Sequence, residues 1–174
     1  MAADTTTPRA PDGRFLVAHP AHFIALGFGA GLAPRAPGTF GTLLGWAIFL
    51  VLYEWVAPLW IAFLAIPLFF LGVWACDKTG RDLGVQDHGS MVWDEVVAFL
   101  PLAALASASL AMQLVAFGLF RLFDIWKPFP IRYFERRLKG GFGVMFDDLI
   151  AACYAYLVII VLVVAAHNLL KNLA

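Results

Sequence analysis

The stretch RLFDIWKPFPIRYFERRLKGGFGVMFDD, residues Arg121–Asp148, contains half of the lysines and arginines and one third of the aspartates and glutamates of a 174-residue chain. Apolar runs lie on both sides of it, and charge this dense beside membrane-grade segments is costly unless it binds or transforms something. Arg121, Asp124 and Lys127 are spaced three residues apart, so on a helix they would share one face. Pro128 would then end that helix. The stretch therefore predicts a binding or catalytic site between hydrophobic helices.

The composition of the whole chain indicates a membrane protein. Apolar residues make up 62% of it, charged residues only 14%, and the mean hydropathy is +0.83. This balance is far from that of an ordinary soluble domain, and the length suits a single domain. The formal net charge is zero. Because no overall field attracts nucleic acid, we expect the lipid bilayer, and not nucleic acid, as a partner.

Four uncharged runs are long enough to form membrane helices. They are Ala36–Tyr53, Trp55–Cys76, Val96–Phe120 and Leu149–Ala166. We therefore predict an all-α fold, a polytopic membrane-embedded helical domain that covers residues 21–170. Residues 1–20 are polar, contain prolines and lack the apolar core of a signal peptide, which predicts a flexible N-terminal tail.

The run Val96–Phe120 leaves two topologies open. A single span would place Arg121–Lys139 and Asp77–Glu95 on opposite sides of the bilayer, whereas two short helices bent near Ala106–Ser109 would return the chain to the same side. With the bent arrangement, eleven of the twelve lysines and arginines share one face. The positive-inside rule therefore favours a helical hairpin, and it makes the face that carries the polar site cytoplasmic.

Acidic residues occur as a pair at two predicted helix starts, Asp94-Glu95 and Asp147-Asp148. Carboxylates in a first helical turn often only complement the helix dipole. Here the hairpin topology brings both pairs to one side of the bilayer, which favours a shared role. Several carboxylate oxygens suit a hard cation such as Mg²⁺. Further acidic residues that could join them are Asp87 and Asp124.

Another polar segment, APRAPGTFG, precedes the first long hydrophobic helix. Thr39 or Thr42 could cap this helix, and the free N–H groups near Gly38 would then attract an anion. The segment is equally compatible with a helix cap that has no further role. The cations that could bind a phosphate group are Arg35, Arg121 and Lys127.

Four segments follow one another along the chain: GLAPRAPGTFGTLLG, DHGSMVWDEVV, FRLFDIWKPFPIRYFE and GGFGVMFDDLIAA. Together they closely resemble the phosphatidylglycerophosphatase A family, over roughly Gly27–Ala155. The resemblance implies an all-α, membrane-embedded, Mg²⁺-dependent phosphomonoesterase of bacterial phospholipid biosynthesis. Its substrate would be phosphatidylglycerol phosphate, its products phosphatidylglycerol and inorganic phosphate, and its location the cytoplasmic (inner) membrane. Arg35 stands where lysine is common in the family, which keeps the charge but changes the hydrogen-bonding geometry.

The residue patterns and the resemblance together predict three sets of site residues. The catalytic set is Asp87, Asp94, Glu95, Asp124, Lys127 and Arg121. The set that binds the substrate phosphate is Arg35, Gly38, Thr39, Lys127 and Arg121. The metal-binding set is Asp94, Glu95, Asp124, Asp147 and Asp148. In the mechanism that they imply, Mg²⁺ activates water for attack on phosphorus, a carboxylate accepts a proton, and the cations neutralise the phosphoryl oxygens. The sequence does not distinguish the metal ligands from the general base.

Two other classes of function compete with this interpretation. A small cation transporter or channel could use the acidic cluster, but its charges would be expected midway through the spans rather than at helix ends. A non-catalytic membrane scaffold would not require clustered carboxylates. The sequence is also compatible with a homo-oligomer.

Overall fold

The computed structural model describes residues 10–106 and 109–173 and is entirely helical within them. One 3-10 helix, Gly27–Leu32, accompanies eight α-helices. These are α1 (Gly13–Ala18), α2 (Pro20–Ala25), α3 (Pro37–Tyr53), α4 (Pro58–Leu83), α5 (Trp93–Ala106), α6 (Leu110–Trp126), α7 (Ile131–Arg137) and α8 (Gly140–Leu173). The all-α prediction is confirmed for the described part of the chain.

In the part of the chain that the structure describes, two helices are long and apolar enough to cross a membrane, α4 and the segment Gly140–Asn172 of α8. Buried residues make up only 28% and 22% of their most apolar windows, whereas the core helix of a soluble protein is mostly buried. Large side chains such as Trp60 and Phe70 on α4 are 68% and 64% exposed. Length, composition and exposure are therefore consistent with a membrane protein.

The predicted hairpin between residues 96 and 120 is present as two separate helices, α5 and α6. They pack against each other through aromatic rings, with the centroids of Phe99 and Phe120 5.9 Å apart. The start of α5 and the last turns of α6 lie together, because Arg121 Nη1 is 3.5 Å from Glu95 Oε1. The chain thus leaves the polar end of the bundle through α5 and returns to it through α6, as the hairpin topology predicts.

Glycines allow the helices that carry the site to approach very closely. A Cβ atom on Gly45 of α3 would lie 2.8 Å from the carbonyl oxygen of Val96 on α5. A Cβ atom on Gly141 of α8 would lie 1.9 Å from the carbonyl oxygen of Val73 on α4. Small residues permit such backbone contact between membrane helices. Helices α3, α4 and α8 therefore pack tightly around the buried helix α5.

The N-terminal tail predicted for residues 1–20 lies partly outside the described residues, which begin at residue 10. Within the remainder, α1 is a helix that the sequence did not indicate, and Asp12 caps it by accepting a hydrogen bond from the Phe15 N–H. The buried ring of His22 then contacts two elements. Its Nδ1 lies 2.9 Å from the Phe15 carbonyl oxygen and its Nε2 2.7 Å from Asp82 Oδ2. The N-terminal segment is thereby attached to the polar end of α4.

Candidate active site

Three buried carboxylates from two helices form the centre of the candidate site. Asp94 and Glu95 lie in the first turn of α5, and Asp148 lies in α8. One oxygen atom from each residue lies within 4.8 Å of the other two, a grouping that could hold a metal ion. Asp94 Oδ1, Glu95 Oε2 and Asp148 Oδ2 are buried and have no hydrogen-bond partner among the described residues. Buried carboxylate oxygens without donors are costly, so this trio requires either a cation or protons.

The depth of Asp148 follows from where α8 begins. The sequence predicted a helix start near Asp147, and this prediction is wrong. Gly140 already begins α8, because Gly141 lets the first helical turn lie directly against the backbone of α4. Asp147 and Asp148 therefore lie about two turns into the helix, where neighbouring helices bury them.

Arg121 on α6 is the cation closest to this carboxylate trio. Its Nη1 lies 2.6 Å from Asp124 Oδ2 and 3.5 Å from Glu95 Oε1. The same nitrogen lies 3.4 Å from the hydroxyl of Thr42, which in turn donates a hydrogen bond to the Gly38 carbonyl oxygen. Asp124 also faces Asp148, on which its negative charge acts. Arg121 thus links α3, α5 and α6 at the edge of the trio.

Gly38 on α3 touches the site because it has no side chain. A Cβ atom there would lie 2.1 Å from Glu95 Oε1 and 3.1 Å from the terminal guanidinium nitrogens of Arg121. The first turn of α3 follows Ala36, which has φ 48°, and no side chain caps it. The prediction that Thr39 or Thr42 caps α3 is therefore wrong, and the Thr42 hydroxyl instead connects α3 to Arg121.

The spacing of Lys127 predicted that it would share a helix face with Arg121 and Asp124. In the structure it does not. It ends α6 in the left-handed conformation, with φ 46°, and its side chain leaves the helix. Its Nζ lies 2.6 Å from Asp147 Oδ2 and 2.8 Å from Glu135 Oε1. Burial acts to lower the pKa of Lys127, but these two carboxylates outweigh burial and raise it above the ordinary value. Lys127 therefore stays protonated and neutralises a second carboxylate group beside the first.

Asp87, in the loop between α4 and α5, belongs to this second group. It lines a cleft of about 190 Å³ together with Glu135 and Asp147. One side of Asp87 is exposed, yet the surrounding chain partly desolvates the carboxylate and raises its pKa, and the positive charge of Lys127 opposes that rise. The cleft thus opens directly onto the residues that hold Lys127.

The structure brings most of the predicted site residues together, in two adjoining groups. The first contains Gly38, Asp94, Glu95, Arg121, Asp124 and Asp148, and the second contains Asp87, Lys127 and Asp147. Arg35 is exposed and forms no ion pair within the described residues, and Thr39 makes no side-chain hydrogen bond there. Glu135 was missed, because nothing in its spacing from Lys127 indicated that the two would meet.

Comparison with known proteins identifies the family to which the chain belongs. The family model described as phosphatidylglycerophosphatase A matches residues 23–163, which include both groups of site residues. The chain belongs to the phosphatidylglycerophosphatase A family. A phosphatidylglycerophosphatase A from Haemophilus influenzae is 47% identical over 88% of this chain and 94% of that protein. Another, from Escherichia coli, is 40% identical over 84% of this chain and 87% of that protein.

This member of the phosphatidylglycerophosphatase A family is therefore a phosphatase. A further relative, from Bacteroides thetaiotaomicron, bears the provisional name phosphatidylinositol-3-phosphatase. It is 41% identical over 79% of this chain and 90% of that protein. No solved structure matches the chain.

Proposed function

We propose that this phosphatase hydrolyses phosphatidylglycerol phosphate to phosphatidylglycerol and inorganic phosphate at the Asp94, Glu95 and Asp148 trio. The observation that carries the proposal is this trio of buried carboxylates, each with an oxygen that lacks a hydrogen-bond partner, in a member of the phosphatidylglycerophosphatase A family. The reaction would take place in phospholipid biosynthesis at the bacterial inner membrane. The earlier alternative, a cation transporter or channel, gains no support from the family.

The substrates that the relatives' names indicate contain the same two phosphate groups. Phosphatidylglycerol phosphate and phosphatidylinositol 3-phosphate both carry a phosphodiester next to the diacylglycerol and a phosphomonoester on the far side of a polyol. Hydrolysis breaks the P–O bond of the monoester, water supplies the oxygen to phosphorus, and the departing alcohol takes a proton. The substrate class that we propose is therefore a phospholipid with a terminal phosphomonoester.

The carboxylate trio fits Mg²⁺, which binds oxygen ligands and tolerates several negative charges around it. Asp94, Glu95 and Asp148 would hold the ion, because each has a buried oxygen without a donor. When bound, Mg²⁺ supplies a positive charge that polarises a phosphate oxygen and lowers the pKa of water. Asp124 and Asp147, which the sequence also predicted as ligands, are held by Arg121 and Lys127 instead.

Side chains around the trio would perform the remaining steps. Arg121 is fixed by Asp124 and by Thr42, so its guanidinium is oriented before substrate binds and neutralises charge on the phosphoryl oxygens. Asp124, which faces Asp148 but lies outside the trio, accepts the proton of the attacking water at a carboxylate oxygen. Lys127 holds Asp147 next to the trio through an ion pair.

The direct test is phosphate release by the purified protein from phosphatidylglycerol phosphate in detergent micelles. We expect release in Mg²⁺, loss of release in excess chelator, and recovery when Mg²⁺ is restored. No release from this lipid under any condition would contradict the proposed substrate. Undiminished release in chelator would keep the substrate and remove the metal from the mechanism.

The proposed cytoplasmic position of the site makes a separate prediction about topology. In a variant with Cys76 and Cys153 replaced by alanine, single cysteines at Gln86 and Lys139 should resist an impermeant thiol reagent in intact cells. Cysteines at Glu54 and Asn172 should be labelled, because α3 and α8 would carry them to the other side. Both polar segments label fully once the cells are permeabilised, which is the control. Labelling of Lys139→Cys but not Gln86→Cys in intact cells would contradict a shared site.

A further inference from the structure

A large cavity lies beside the site, along α7. It has a volume of about 640 Å³, and the charged residues that line it are Lys127, Arg132, Arg136 and Arg137. We call this cavity the α7 groove. No carboxylate lines it, since Glu135 on the same helix turns to Lys127 instead. The α7 groove is therefore a concentrated positive surface.

Its arginines lack acidic partners within the described residues, unlike four other cations of the polar end. Arg121, Lys127, Lys78 and Arg81 each form an ion pair with a carboxylate. Within the described residues, none of the three groove arginines does so. Arg132 donates a hydrogen bond to the Trp126 carbonyl oxygen, and the Arg137 guanidinium lies 4.6 Å from the centre of the Tyr133 ring. Arg132 and Arg137 are thus positioned by the chain, while the charge of all three arginines has no acidic partner within the described residues.

Aromatic side chains at the rim place the α7 groove at the level of lipid headgroups. Trp126 is 59% exposed and Tyr133 is 43% exposed, and both line the groove. Exposed aromatic rings of this kind gather at the boundary between hydrocarbon and water. An uncompensated group of arginines at that depth suits the phosphate of a phospholipid, which arginine binds through paired hydrogen bonds.

The α7 groove and the carboxylate trio adjoin through one residue. Lys127 lines the groove, and its Nζ bonds Asp147, the chain neighbour of Asp148 in the trio. We propose that the α7 groove binds the phosphodiester of the substrate lipid while the phosphomonoester occupies the trio. This inference rests on the proposed function and deepens it. The groove would make the enzyme select lipids that carry a second phosphate beyond the one removed.

The test uses the full-length protein in micelles of uncharged detergent, where attraction to a charged surface is absent. Arg136→Gln should raise KM for phosphatidylglycerol phosphate about tenfold, the loss of one charge-assisted hydrogen bond, with kcat nearly unchanged. Phosphatidylglycerol keeps the phosphodiester but lacks the monoester, so its inhibition constant should rise by a similar factor. Arg14→Gln is the matched control, because Arg14 lies at the same end, beside Asp82, outside the groove.

A second measurement is independent of turnover. Native mass spectrometry should show more phosphatidylglycerol than diacylglycerol, which lacks the phosphodiester, retained by the wild-type protein, and Arg136→Gln should abolish the preference. If wild type retains phosphatidylglycerol but releases no phosphate, the proposed function fails while the groove stands. Equal KM changes in Arg136→Gln and Arg14→Gln would overturn the inference, since charge at that end would then act only generally. So would an unchanged KM and an unchanged lipid preference in Arg136→Gln.

Discussion

Replacing Asp148 with asparagine is expected to lower kcat by about a hundredfold or more while making the metal-free protein more stable. The activity falls because a preorganised charge at the reacting group is lost, and such losses are of this size. The stability rises because Asp148 is buried beside Asp94 and Glu95 with an oxygen that has no donor. Removing one of three crowded carboxylates relieves repulsion and desolvation cost. Phosphate release and thermal unfolding in chelator measure the two effects.

Mg²⁺ provides the discriminating comparison for this variant. Addition of Mg²⁺ should raise the unfolding temperature of the wild type, because a ligand that binds only the folded state stabilises it. Asp148→Asn should lose most of that increase. The control is Glu54→Gln, which removes an exposed carboxylate from the turn between α3 and α4 and should behave as wild type. An Asp148→Asn variant with wild-type kcat would remove the trio from the mechanism.

Replacing Gly38 with alanine is expected to lower kcat/KM by about a hundredfold without unfolding the protein. The added methyl group would overlap Glu95 Oε1 and crowd the Arg121 guanidinium, so both groups must move. Displacements near 1 Å at a reacting centre cost activity on this scale. The fold should survive, because Glu95 offers the flexible end of a side chain to the new atom and alanine is favourable in a helix. Kinetic assays should therefore show a large loss of kcat/KM in Gly38→Ala, while thermal unfolding shows a folded protein.

Gly118 on α6 offers the matched control for that substitution. It is a helical glycine whose added Cβ would meet nothing within 4 Å. Gly118→Ala should keep full activity and lose no stability. If Gly38→Ala were equally active, the close contact of α3 with Glu95 and Arg121 would be incidental packing. If Gly38→Ala and Gly38→Ser both failed to fold, the contact of Gly38 with Glu95 and Arg121 would have a purely structural role.

The sequence was informative wherever charge and hydropathy alone determined the outcome. The hairpin formed by α5 and α6 followed from the need to keep the positive charges on one side, although no helix break is obvious between Val96 and Phe120. The acidic pairs at residues 94–95 and 147–148 were identified because buried carboxylates are unusual between apolar runs. Both features depend on the cost of placing charge in hydrocarbon, which a sequence displays directly.

The pairing of individual charges was not predictable in the same way. Lys127 was assigned to the face of Arg121 from its spacing, but the left-handed residue that ends α6 turns it toward Glu135 and Asp147. The start of α8 was placed late, because glycines usually indicate a turn. At Gly141 a helix continues through them only because a neighbouring backbone lies against it. Such contacts between distant segments leave no periodic signal in a sequence.

The length of α8 has a consequence for how the reaction depends on the membrane. Helix α8 rises about 35 Å between Asp148 and Lys171 at 1.5 Å per residue, and a bilayer has a hydrocarbon core of about 30 Å. With Lys171 in one headgroup layer, Asp148 lies level with the other. The substrate lipid then reaches the site without leaving its leaflet. Enzyme and substrate meet by lateral diffusion within the membrane. Turnover should follow the mole fraction of substrate within the leaflet, so diluting the lipid with an inert phospholipid should slow the enzyme even when the total substrate in the tube is constant.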